Sequence, residues 1–173
     1  MRLKRIHTPV GEITLVGSDA GLRAVLFAGE AVPDEAVEDE HPVLDEAARQ
    51  LDEWFAGERT TFDLPLDLTS ATEFQRRAWL ALADIPYGTT RSYGEQAGVL
   101  GMPRAARAVG AANGRNPLSI VLPCHRLVGA NGALTGFSGG LEVKRALLDH
   151  EAGTAARAGA AGSARTRTSP APR

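Results

Sequence analysis

Apolar and polar positions alternate through "KRIHT", "EITLVG" and "GLRAVLFA", three short β-prone runs separated by the turn chemistries "PVG" and "SDAG". This pattern predicts a small antiparallel meander, followed by an acidic loop. The period then changes. In "PVLDEAARQLDEWFAG", Leu44, Ala48, Leu51 and Phe55 recur at helical spacing on one face, with Gly57 as the stop. "SATE" (Ser70 with Glu73) reads as a capping box opening a helix that turns Phe74, Ala78 and Leu82 inward and ends before "IPYG". A second box, "SYGE" (Ser92 with Glu95), opens a short helix ending at "GVLG". "MPRAARAVGAANG" begins another, with Pro103 suited to the first helical turn. A last helix is expected over residues 140–151. Residues 152–173 are rich in Ala, Gly, Ser, Thr, Arg and Pro with no apolar period, and are expected to be disordered.

The two short helices, joined by a tight glycine-containing turn, form a helix-turn-helix pattern. The second helix carries Arg104 and Arg107, spaced i,i+3 on one face and flanked by alanines small enough for the backbone to approach a nucleic-acid groove. A plain helical hairpin would show the same spacing. At 173 residues the chain holds one ordinary domain or two small ones. Three segments are expected: an N-terminal scaffold (1–68), a second domain (69–151) and a basic tail (152–173). Charge follows this division. Residues 1–68 carry 6 Lys+Arg against 15 Asp+Glu, residues 69–151 carry 9 against 6, and residues 152–173 carry 4 against none. An acidic half cannot attract a polyanion, whereas a mildly basic half with a basic tail can. No apolar stretch approaches the ~20 residues of a membrane span, and the basic N-terminus has no apolar run behind it. A cytoplasmic protein with no membrane contact is the expectation.

The chain contains one cysteine, Cys124, which excludes an intrachain disulfide and fits a reducing compartment. A thiol becomes a nucleophile when a base or a positive potential deprotonates it. His125 is adjacent, but neighbours on an extended segment point to opposite sides, so a dyad here needs a turn or a bridging water. The base in turn needs an orienter, and Glu142, Asp149 and Glu151 are the carboxylates downstream. Papain-like chemistry would want a distant histidine, and His150 comes with no supporting motif. His7 and His41 are isolated and read as solvated surface residues. One Cys beside one His falls short of a metal site. A small, buried, inert cysteine remains the plain alternative.

"GRNPLSIVLPCHRLVGANGALTGFSGGLEVKRALLDHE" resembles the active-site region of the O6-alkylguanine-DNA alkyltransferases, and the resemblance extends upstream through "FQRRAWLALADIPYGTTRSYGEQAGVLGMPRAARAVGAANGRNP". It covers roughly residues 70–151. It implies an α+β protein: an N-terminal antiparallel sheet with helix (ribonuclease H-like) and a C-terminal helical domain with a helix-turn-helix (winged-helix-like). The implied activity is cofactor-free, single-turnover transfer of an alkyl group from O6-alkylguanine, and also from O4-methylthymine, in double-stranded DNA to the protein's own cysteine. The partner would be that duplex, bound by a monomer. Cys124 would accept the alkyl group, His125 would act as base through a water, and Glu151 would orient the imidazole. Asn116 would join the active-site segment to the helix-turn-helix. Arg107 would enter the duplex where the target nucleotide leaves the stack, with Arg104 beside it on the DNA. Tyr93 would crowd the target's 3′ phosphate and donate toward guanine N3. Phe137 and Ser138 would wall the pocket, with Lys144 helping the proton supply. The chain departs from the pattern at Phe137, where some members carry tyrosine, and at Leu127, where valine is common. Nothing in it matches the metal-binding module of the adaptive-response relatives, so no transcriptional switch is expected. Two rivals remain: a lesion-binding relative without an acceptor thiol, and an unrelated cysteine hydrolase or peroxidase.

Overall fold

The computed structural model describes residues 1–165. The alternating runs form β1 (Arg2–Thr8), β2 (Gly11–Ser18) and β3 (Gly21–Phe27), an antiparallel meander in which Ile6 faces Ile13 and Ile13 faces Phe27. The expected acidic loop contains one further strand, β4 (Val37–Glu38), which pairs in parallel with β1 and gives the order β3-β2-β1-β4. Helix α1 (Pro42–Phe55) lays Leu44, Ala47, Leu51 and Trp54 on the sheet. His41, expected on the surface as an isolated residue, caps this helix: its Nδ1 accepts from the Val43 N–H at 3.3 Å. His7 is exposed.

The second half contains α2 (Glu73–Leu80), α3 (Tyr93–Val99), α4 (Ala106–Asn113) and α5 (Leu141–Arg165). The capping box at Ser92 and Glu95 forms as expected. That of α2 lies two residues later than expected, at Thr72 and Gln75. This frame buries Ala78 and Trp79, and Trp79 Nε1 then donates to the Ala112 carbonyl at 2.7 Å. Pro103 does not start α4. It lies in a turn closed by Ala105 N–H to Met102 O at 2.8 Å, so Arg104 precedes the helix and Arg107 falls in its first turn. Short strands β5 (Arg91–Ser92) and β6 (Leu127–Val128) pair in parallel and link the start of α3 to the chain just after Cys124.

The largest departure is α5. The expected disordered tail begins at 152, yet the helix continues to Arg165. Alanine is the strongest helix former, so the stretch needs no apolar face to propagate a helix already started. Its first turn beyond Glu151 is also packed, with Thr154 buried against Gly57 and the Ala155 methyl against Gly88. Residues 166–173 of the expected tail lie outside the described residues. Among the described residues, no helix is long and apolar enough to cross a membrane.

The two halves share one core, in which Ile13, Leu15 and Val25 of the sheet join Leu118, Ile120, Leu127 and Leu147 of the second half. The joint is the free edge of β3. Leu22 N–H donates to Pro65 O and Val25 N–H to Pro117 O, both at 2.8 Å, so the stretch around Pro65 and the segment leading to Cys124 complete the sheet. Close approach here depends on Gly21, at φ +145°, where an added Cβ would lie 2.3 Å from the Pro65 oxygen. Gly29 also has positive φ (+90°) but faces open space. Gly21→Ala is therefore expected to destabilise the protein by about 2–4 kcal/mol and Gly29→Ala by about 1 kcal/mol, read from urea unfolding midpoints. Equal losses would mean that backbone conformation alone, and not the joint at Pro65, sets the cost.

Candidate active site

The segment from Asn116 to Arg126 folds back on itself twice. Asn116 fixes the first reversal: its Oδ1 accepts from the Leu118 N–H at 3.0 Å and its Nδ2 donates to Leu122 O at 2.8 Å. Inside that loop Ile120 sits at φ +72°, a conformation that β-branched residues rarely adopt, buried in the shared core. Such strain persists only where the surroundings over-determine it. The second reversal is a 3-10 turn over Cys124–Arg126, which removes the extended geometry that would have sent Cys124 and His125 to opposite sides.

Cys124 is 3% exposed. Burial pushes its thiol up; Asn116, Ser119 (Oγ 3.8 Å from Sγ) and the charge of Lys144 pull the other way without overcoming it. The resting group is therefore a thiol that needs a base. His125 is fully buried, and its Nε2 lies 2.8 Å from Glu151 Oε1. Burial alone would raise Glu151, but hydrogen bonds from His125 and Arg126 outweigh it and hold the carboxyl at about 2. An ionised carboxylate only accepts, so His125 Nε2 carries the proton. Nδ1 is left as a buried lone pair with no hydrogen-bond partner among the described residues. Burial lowers the imidazole further than Glu151 raises it, so the ring is neutral at pH 7.

Of the carboxylates considered as orienters, Glu142 and Asp149 are exposed and Glu151 alone reaches the histidine. His150 is occupied elsewhere, its Nε2 lying 2.8 Å from the Trp54 carbonyl oxygen. Arg126 was passed over in the sequence reading. Its guanidinium grips both Glu151 oxygens at 2.7–3.0 Å, donates to Ile85 O at 2.7 Å and lies over the Tyr87 ring. Asn113 was also missed: its Nδ2 lies 3.4 Å from the Cys124 carbonyl and ties the end of α4 to the backbone of the cysteine.

Tyr93, Arg107, Gly110 and Thr135 line an open groove of about 460 Å³ along α4. Arg107 is exposed there, whereas Arg104 is exposed in the preceding turn and does not line the groove. Thr135 and Gly136 form the groove's far wall. Phe137 instead packs on Phe27 of the sheet, with centroids 5.4 Å apart, and Ser138 is exposed. Lys144, fully buried, donates to Leu127 O at 2.6 Å and Thr135 O at 2.8 Å. The Tyr93 hydroxyl bonds to Thr135 as well, accepting from its Oγ1 at 3.2 Å. Lysine and tyrosine thus hold one loop from two sides.

The chain is similar to known proteins along both halves. Residues 1–68 match the family described as 6-O-methylguanine DNA methyltransferase, ribonuclease-like domain, and residues 73–153 match the DNA binding domain of the same methyltransferases. A methylated-DNA–protein-cysteine methyltransferase of Methanosarcina acetivorans is 51% identical over 149 residues, spanning 84% of this chain and 94% of the relative. Its namesake in Mycobacterium tuberculosis is 48% identical over 150 residues, spanning 86% and 90%. The crystal structure of Mycobacterium tuberculosis OGT in complex with DNA superposes with a TM-score of 0.83 at 46% identity, covering 89% of this chain and 94% of that one. Similar along both halves at this level of identity, the chain belongs to the methylated-DNA–protein-cysteine methyltransferase family.

Proposed function

We propose that this chain repairs DNA by moving the alkyl group of O6-alkylguanine, and also of O4-alkylthymine, irreversibly onto Cys124. The family's reaction needs a protein cysteine, and this chain has one. The observation that carries the assignment is the placement of that thiol. Cys124 adjoins a buried histidine–glutamate pair and is tied by Asn113 to the helix lining an arginine-bearing groove.

The chemistry follows from the protonation states. The thiol proton passes through one water to His125 Nδ1, and Glu151 stabilises the imidazolium that results. The thiolate attacks the sp³ carbon on guanine O6. The S–C bond forms, the C–O bond breaks, and the electron pair leaves on the guanine. The departing base takes a proton at N3 from the Tyr93 hydroxyl and a hydrogen bond at O6 from Ser138; the proton given up by the thiol restores the balance. Lys144 and Tyr93 hold the loop that carries Ser138, and Phe137 anchors it to the sheet. The product is a thioether with no leaving path, so each chain acts once. No cofactor enters.

The lesion lies within a base-paired duplex, so the nucleotide must leave the stack to reach Cys124. Arg107 fills the vacated space, Arg104 meets the phosphate backbone, and Asn116 holds the acceptor segment against the helix-turn-helix. One thiol and one groove per chain suit a monomer on double-stranded DNA. A lone cysteine kept reduced suits the cytoplasm.

With excess O6-methylguanine duplex, intact-mass analysis is expected to show at most one added methyl per chain, about 14 Da, on the peptide containing Cys124. Several turnovers would point to a hydrolase or peroxidase, and no adduct to a lesion-binding module. Arg107→Ala is expected to slow repair of duplex DNA by about one to two orders of magnitude while leaving transfer from free O6-benzylguanine nearly unchanged, because only the duplex reaction pays for unstacking. Equal losses on both substrates would assign Arg107 to folding or pocket shape.

A further inference from the structure

The N-terminal half supplies no proton-transfer group, yet one of its residues reaches the catalytic turn. Trp54, near the end of α1, is fully buried. Its indole stands edge-on to the His125 ring, with centroids 6.1 Å apart and planes at 77°, and edge-on to Tyr87 at 6.3 Å. On its other side it packs on His150 at 4.6 Å, whose Nε2 lies 2.8 Å from the Trp54 carbonyl oxygen.

The groups that face His125 divide by element. From α5 come Glu151, bonded to Nε2, and the more distant ammonium of Lys144; from its own turn come Arg126 and the Cys124 thiol. Tyr87, in the turn at 85–88, stands against the same indole, and burial keeps it a neutral phenol. From α1 comes only the indole. The acid next to it, Glu53, is paired with Arg59 at 2.7 Å. His125 therefore has its polar contacts on the C-terminal side and an aromatic wall, the indole with its own buried Nε1–H, on the other.

That wall has two physical effects. A ring torsion at an sp³–sp² bond is broad, so a single hydrogen bond at Nε2 leaves the imidazole plane loosely set, and an edge-on neighbour confines it. An indole also excludes water, and a charged imidazolium loses more from dehydration than a neutral ring does. We infer that Trp54 is a positioning residue for alkyl transfer: it fixes the plane of His125 and seals it from solvent, so that Nδ1 remains the available base. This rests on His125 acting as the base in the proposed reaction. It also gives the N-terminal domain a part in the chemistry, beyond that of a scaffold.

The test uses the full chain and its Trp54→Phe and Trp54→Leu variants. Benzyl transfer from free O6-benzylguanine is followed from pH 5 to 9, and the His125 ring proton is titrated by NMR in a chain with four histidines. In Trp54→Leu, water reaches a ring that still faces Glu151, so its basicity rises. The acid limb of the rate profile and the NMR midpoint should both move up by about one pH unit, a loss that approaches roughly tenfold only below both midpoints, with little change at about pH 8.5. Trp54→Phe keeps an aromatic edge and should restore both values to near those of the parent. A loss of rate equal at every pH, or an unmoved NMR midpoint, would leave Trp54 as core packing only. If Trp54→Leu does not fold, Trp54→Met is held to the same criteria. A parent protein that fails to transfer benzyl would sink the alkyl-transfer reading, while the NMR titration alone would still decide the role of Trp54.

Discussion

A single buried carboxylate organises this molecule. Glu151 is fully buried, and an ionised carboxylate in that position costs several kcal/mol unless it is paired and hydrogen-bonded. Here Arg126 meets both oxygens, His125 Nε2 donates to one, and the Gly88 N–H lies 3.3 Å from the other. Each partner is bound elsewhere in turn: Arg126 to the Ile85 carbonyl, His125 to the catalytic turn, and Gly88 to the α5 contact that leaves no room for a larger residue. Helix α5, the turn before α3 and the segment carrying Cys124 are thereby one unit. The same interaction fixes the chemistry, because a carboxylate that only accepts leaves the histidine one bare nitrogen.

Around that unit the two halves divide the work unevenly. The C-terminal half carries the thiol, the buried histidine–glutamate pair and the groove. The N-terminal sheet offers the free edge of β3, which the segment before Cys124 completes, and Phe27, on which the loop after it rests through Phe137. Gly139 permits that second contact, since an added Cβ there would lie 2.7 Å from the Phe27 ring. The segment carrying Cys124 is thus braced on both sides by the sheet. This bracing holds Ile120 in its left-handed conformation.

Much of this was legible in the residues, for identifiable reasons. Strands with period two and a capping box such as Ser92–Glu95 are local signals, and both appear where the pattern put them. Overlapping signals were harder. "SATE" and "TEFQ" offer two capping frames, and burial of Trp79 against α4, which no local rule contains, selects the second. The stretch after Glu151 lacks an apolar face, which reads as disorder until alanine propensity and the contacts of Thr154 are counted. Arg126 lies within the quoted "PCHR", but its partner is 25 residues away, and nothing in the sequence marks that distance. Trp54 adjoins the helical face of Leu51 and Phe55, and nothing local separates it from ordinary core packing. Cys124, His125, Asn116 and Glu151 were reached only because the chemistry of a lone thiol and the family resemblance converge on them.

The protonation state of His125 is where these relations meet, and ¹⁵N NMR of its ring at pH 7 observes it directly. The account predicts a neutral imidazole with its proton on Nε2, toward Glu151, and a bare Nδ1. A proton on Nδ1, or an imidazolium at that pH, would contradict it.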